Sequence, residues 1–152
     1  MLEKIEEEYN KFVDIMYAGK DKEARQSLGQ FFTPPQLTVK MLEKLTMQPD
    51  DTLLDPCLGA GGLIAAAIVT GKAKPENCYG IELDPEILKV ARDRLGRLGV
   101  PAKNLRWGNA LNPDCYENWE KDGYTFEPNY SVGCVYYVDK NGKKEFKFGM
   151  KI

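Results

Sequence analysis

Leu2, Ile5, Tyr9, Phe12, Val13 and Met16 recur at the spacing of a helix with one buried face. Glu3, Glu6, Glu7 and Glu8 fill its first turns, where the helix dipole favours anions. Ala18-Gly19-Lys20-Asp21 ends it, and a charged linker runs up to two phenylalanines, Phe31 and Phe32. Leu37, Met41 and Leu45 mark one face of a second helix. Thr33 and Gln36 have the form of a capping box at its start, with Pro34 at the first helical position. The period then changes. Thr52-Leu53-Leu54, Asn77 to Asp84 with its acidic end, and Leu105-Arg106-Trp107 are short strand-like runs. Between them lie helical patterns, Ile64 to Val69 and then Ile87, Leu88, Ala91, Leu95 and Leu98, the second opened by Asp84 as N-cap and Pro85. This alternation predicts an α/β fold, a mostly parallel sheet with helices on its faces and a ligand site at the C-terminal ends of the strands. After residue 111 the alternation stops. Cys134-Val135-Tyr136-Tyr137-Val138 and Glu145-Phe146-Lys147-Phe148 flank Asn141-Gly142, which predicts a C-terminal antiparallel hairpin.

The stretch Asp55-Pro56-Cys57-Leu58-Gly59-Ala60-Gly61-Gly62-Leu63 joins the first strand to the helix after it. Glycines let a ligand approach the backbone closely, and the helix start offers unpaired N–H groups. The third glycine of a dinucleotide fingerprint is missing, and no Gly-Lys-Ser/Thr of a phosphate loop follows. Asp55 would repel a pyrophosphate, so a ligand with a cationic end fits better. S-adenosylmethionine, with its ammonium and sulfonium, is such a ligand. Glu82 ends the second strand some 20 residues beyond Gly62, the spacing of a ribose-binding carboxylate. Asn109, in the turn after the third strand, carries the donor and acceptor that an adenine edge requires, and it is equally a plain turn former.

The order Gly29-Gln30-Phe31-Phe32-Thr33-Pro34-Pro35, Asp55 to Leu63, Gly80-Ile81-Glu82-Leu83-Asp84 and Gly108-Asn109-Ala110-Leu111 resembles the adenine-N6 DNA methyltransferases, most of all the modification subunits of type I restriction systems. The resemblance covers about residues 25 to 111. It implies a Rossmann-like S-adenosylmethionine-dependent methyltransferase fold, preceded here by the N-terminal helix. It implies that Phe31, Phe32, Thr33 and Pro34 pack on the methionine part of the cofactor. Asp55, Cys57, Gly59 and Gly61 would belong to the loop that wraps it. Glu82 would bind the ribose, Leu83 would lie against the adenine ring, and Asn109 and Ala110 would lie beside the adenine amine.

The family performs its chemistry with Asn/Asp-Pro-Pro-Tyr/Phe, and no such tetrapeptide occurs in the sequence. Asn112-Pro113-Asp114-Cys115 comes too soon after the Asn109 turn to follow a fourth strand. Glu127-Pro128-Asn129-Tyr130 follows a short strand-like run, with Glu127 placed to accept from an amine and Tyr130 to stack on a base. Two readings stay open: an adenine-specific DNA methyltransferase, or a catalytically inactive cofactor-binding module or partner subunit. Methylation of RNA or of protein glutamine would use the same pocket.

The chain has 152 residues, which suits one domain: helix and linker over 1–28, cofactor-binding core over 29–111, irregular segment and hairpin over 112–152. A formal charge of −2 supplies no global pull toward a phosphate backbone. The resemblance nevertheless implies DNA as substrate, with a separate specificity or target-recognition subunit as a possible partner. Lys140, Lys143, Lys144, Lys147 and Lys151 read as a solvated hairpin face. Four scattered cysteines and no histidine argue against a metal site and for thiols in a reducing cytoplasm. No apolar run has membrane-spanning length.

Overall fold

The computed structural model describes residues 1–18, 23 and 32–116, together with the backbone of strands at 125–129, 134–138 and 144–148. The chain divides into two compact units, Met1–Trp107 and Gly108–Ile152.

The first unit opens with α1 (Leu2–Tyr17), which ends at Ala18 and buries Ile5 and Phe12. The N-terminal periodicity is therefore a real helix with its apolar stripe inward. α2 (Pro35–Lys44) follows, and here the expected details shift by one residue. Pro34 is the N-cap, with φ −63° and ψ 145°, and no side chain caps the helix. A residue before proline is pushed into extended conformation, so Pro35 delays the helix start. Thr33 is left one position too far back to cap, and the Thr33–Gln36 box does not form. The buried face is correspondingly Pro35, Thr38 and Leu42, while Leu37 and Met41 face out.

β1 (Leu53–Asp55), β2 (Cys78–Glu82) and β3 (Leu105–Trp107) form a parallel sheet in the order β1-β2-β3. The register sets Leu53 beside Cys78 and Asp55 beside Gly80, then Gly80 beside Leu105 and Glu82 beside Trp107. The crossovers are α3 (Gly62–Val69) and α4 (Pro85–Arg97). α3 is apolar throughout, and its buried Ile64, Ala65, Ala66 and Ala67 let neighbouring helices come close. Leu42, Leu53, Leu58, Leu88, Ala91, Leu95 and Leu105 join them in one core. The α/β alternation read from the sequence is thus the observed architecture, and the C-terminal ends of β1 and β2 lie side by side.

Asp84 caps α4 as expected, its Oδ1 accepting from the N–H of Glu86 at 2.8 Å and of Ile87 at 3.3 Å. Asp84→Ala is expected to cost about 1 kcal/mol of stability. Urea unfolding of the two proteins measures it.

In the second unit, Asn109 closes a turn. Its Oδ1 accepts from the N–H of Leu111 at 2.9 Å, and its carbonyl accepts from the N–H of Asn112 at 2.8 Å. Tyr116 donates to the carbonyl of Ala110 at 2.8 Å. β4 (Thr125–Asn129), β5 (Cys134–Val138) and β6 (Lys144–Phe148) form an antiparallel sheet in the order β4-β5-β6. The β5–β6 pair is the expected hairpin, and β4 adds a third strand. Glu127 lies within β4, opposite Tyr136, rather than beyond a strand's end.

Candidate functional site

The site grows from the end of β1. Asp55 is its last residue and accepts from the N–H of Cys57 at 3.0 Å, which turns the chain. The loop then leans on β2, with the Leu58 N–H donating to the Ile81 carbonyl at 2.9 Å. Gly80 makes this approach possible, because a β-carbon there would lie 2.7 Å from Leu58 Cδ1. Gly59 adopts φ +53° and Gly61 φ +80°, both in the left-handed region. Gly61 is also the N-cap of α3 and faces Leu95, whose Cδ1 would lie 2.8 Å from an added β-carbon. Gly61 thus serves helix packing, while Gly59 serves the loop.

Glu82 joins the loop to β2. Its Oε2 accepts from the N–H of Gly59 at 2.7 Å and its Oε1 from the N–H of Asp84 at 3.0 Å. Each carboxylate oxygen keeps further acceptor capacity, so these bonds position Glu82 without exhausting it.

A cavity of about 240 Å³ opens above the loop, lined among others by Phe32, Thr33, Met41, Asp55, Gly59, Gly62 and Arg94. Sites enclosing whole drug-sized ligands measure roughly 300–1,000 Å³, so this one encloses part of such a ligand. Of the residues anticipated from sequence, Phe32, Thr33, Asp55, Cys57 and Gly59 line it. Glu82 lies beneath, bonded to Gly59. Gly61 packs on Leu95, and Pro34 is exposed at the α2 cap. Leu83 is 66% exposed beside Trp107, whose indole N–H donates to the Leu83 carbonyl at 2.9 Å. Asn109, Ala110 and Glu127 belong to the second unit. Phe31 and Tyr130 lie outside the described residues, as does the Glu127 side chain.

Arg94 was not anticipated. It is 5% exposed and reaches the cavity from α4. Its Nε donates to Glu8 Oε1 at 2.7 Å and its Nη2 to Glu8 Oε2 at 2.6 Å, while Nη1 donates to the Ala60 carbonyl at 3.2 Å. The guanidinium lies 4.0 Å from the Phe12 ring centroid, and Phe12 meets Phe32 edge-on at 5.0 Å. A trace of this was present in the sequence. Position 94 follows Ala91 by three on the buried face of α4, where an arginine requires a partner.

Burial raises the Asp55 carboxyl above its ordinary 3.8; the Cys57 N–H opposes this and the Glu82 charge adds to it. Partial desolvation, and then the Asp55 and Glu82 charges, raise the Cys57 thiol. For Asp55 the folded state therefore holds its proton more tightly than the unfolded chain. Its contribution to stability is present below the ordinary carboxylate value and is lost as pH rises through the raised one. Asp55→Asn is accordingly expected to be at least as stable as the parent at neutral pH, with the advantage vanishing below about pH 4. The same change should weaken a cationic ligand by about tenfold or more. Thermal melts across pH and calorimetric titration read the two effects separately.

Residues 8–151 match the family described as N-6 DNA Methylase. The chain is 30% identical over 121 residues to the type II methyltransferase M.VspI of Vibrio sp. (strain 343), covering 78% of this chain and 27% of that protein. It is 28% identical over 127 residues to the type II restriction enzyme and methyltransferase RM.BcgI of Heyndrickxia coagulans, covering 76% of this chain and 19% of that protein. The chain therefore spans about a quarter or less of each of these relatives. Among solved structures, an RNA methyltransferase from Salinibacter ruber in complex with S-adenosyl-L-homocysteine is 32% identical. The match covers 57% of this chain and 55% of that one, with a TM-score of 0.46. No helix among the described residues is long and apolar enough to cross a membrane.

Proposed function

The chain belongs to the N-6 DNA methylase family, and we propose that its first unit binds S-adenosylmethionine and that the protein methylates the N6 amine of adenine in DNA. One observation carries this reading. Two segments far apart in sequence, Phe32-Thr33 and the Asp55 to Gly62 loop, line one cavity, and Glu82 beneath it is hydrogen-bonded to the Gly59 N–H of that loop. The donor set suits the cofactor. Asp55 offers an anion to its cationic end, and the positive-φ glycine keeps side chains off the loop. Phe32 supplies an apolar wall beside Thr33, and Phe31 and Pro34 are assigned with them to the methionine part. Cys57 and Gly61 hold the loop's course. Glu82 accepts from the ribose hydroxyls with the lone pairs its backbone bonds leave open, and Leu83 gives an apolar surface to the adenine. Asn109 and Ala110 are assigned to the adenine amine.

The cofactor supplies a methyl group on a sulfonium. Bound in this cavity, it would offer that methyl group to the target amine. The target base must leave the duplex to be reached. Glu127 is assigned to accept from the amine as charge grows on it, and Tyr130 to stack on the base. A separate specificity subunit would supply target recognition, and the reducing cytoplasm is the compartment assigned.

The missing Asn/Asp-Pro-Pro-Tyr/Phe favours a second reading, a cofactor-binding module that acts as a partner subunit. Calorimetry with S-adenosylmethionine, followed by methyl-label transfer to unmethylated DNA of varied sequence, separates the two. Binding with transfer supports the enzyme. Binding without transfer to any DNA, with or without neighbouring gene products, supports the module. Absence of binding would sink both.

A further inference from the structure

Among the described residues lining the cavity, Asp55 is the one acid and Arg94 the one base. A guanidinium has five N–H donors. Glu8 takes one from Nε and one from Nη2, and Ala60 takes one from Nη1. Among the described residues, one N–H on each terminal nitrogen therefore remains. Nη1 stands beside the start of α3, where a β-carbon added at Gly62 would lie 3.7 Å from it. The absence of a side chain at Gly62 leaves that nitrogen its way to the cavity. Arg94 is also held still. Glu8 grips one edge, Ala60 the other terminal nitrogen, and the Phe12 ring covers a face. A donor fixed before the ligand arrives loses little freedom on binding.

We propose that Arg94 receives the carboxylate of the ligand's amino-acid group, while Asp55 receives its ammonium. The pocket would thus select a zwitterion rather than a cation alone. This rests on the S-adenosylmethionine reading above and assigns a residue from α4 to it. Because Glu8 holds Arg94, α1 becomes part of the receptor.

The test compares S-adenosylmethionine with its decarboxylated analogue, which keeps the adenosine, sulfonium and ammonium. Calorimetry on the intact chain should show the analogue binding about 10- to 100-fold more weakly, the loss of a charge-assisted hydrogen bond. The double variant Glu8→Leu/Arg94→Met removes the guanidinium without stranding its partner. It should bind the two compounds alike, at a melting temperature near the parent's. The inference is overturned if the parent binds both within about threefold, or if the double variant keeps the preference. 5′-Methylthioadenosine, which lacks the whole amino-acid group, separates the two levels. If it binds and the carboxylate makes no difference, Arg94 alone is misassigned. If none of the three compounds binds, the cofactor reading fails and this inference with it.

Discussion

Glu8→Ala should lower the stability of the first unit by about 3–5 kcal/mol, the range for removing one partner of a buried ion pair. Arg94 is 5% exposed and Glu8 11% exposed, so water replaces little of what is lost. The variant leaves a guanidinium held by one carbonyl and one aromatic face. For a unit of this size the melting temperature should fall by roughly 10 °C or more. Replacing both residues, as Glu8→Leu/Arg94→Met, should recover most of the loss, because a well-packed apolar pair avoids the desolvation that the ion pair incurs. A melting temperature for Glu8→Ala within about 2 °C of the parent would show that the pair does not tie α1 to the loop.

Gly61→Ala should destabilise by about 2–5 kcal/mol through two additive causes. The left-handed backbone costs a residue with a β-carbon about 1–2 kcal/mol, and φ here is +80°. The added carbon also meets Leu95 at 2.8 Å, an overpacking worth about 1–3 kcal/mol. Leu95 is fully buried, so Leu95→Ala alone should cost about 2–5 kcal/mol. Together the two changes should cost less than their sum by about the overpacking share, since the truncated leucine no longer opposes the methyl group. Guanidinium unfolding of the four proteins closes the cycle. Additivity within about 0.5 kcal/mol would assign the whole effect of Gly61→Ala to the backbone.

These two predictions lie at different distances from the sequence. Gly61 was singled out from its neighbours alone, because a strand-loop-helix pattern with three glycines announces an unusual backbone. The structure adds a task that the loop pattern did not announce, room for Leu95. That task depends on where α4 packs, which no local pattern encodes. Thr33 and Gln36 show a similar limit. Both residue types suited a capping box, yet consecutive prolines moved the helix start by one residue, and the buried face became Thr38 and Leu42 instead of Leu37 and Met41. A stripe of apolar residues states that one face is buried only when the neighbouring helices are known.

The sequence by itself determined the alternation of strands and helices and the α4 cap at Asp84, and it singled out the segments Phe32-Thr33, Asp55 to Gly62 and Glu82. Each follows from local chemistry: period, capping geometry, and the freedom of glycine. Tertiary structure decided that Glu82 holds the Gly59 N–H, that burial raises the Asp55 carboxyl, and that Arg94 reaches the cavity. It also joined Glu8 to Arg94 across 86 positions of the chain. The physical reason is common to all four. Burial, hydrogen bonding and ion pairing depend on which surfaces meet, and the surfaces that meet here come from α1, the glycine loop, β2 and α4, which only the packed fold brings together.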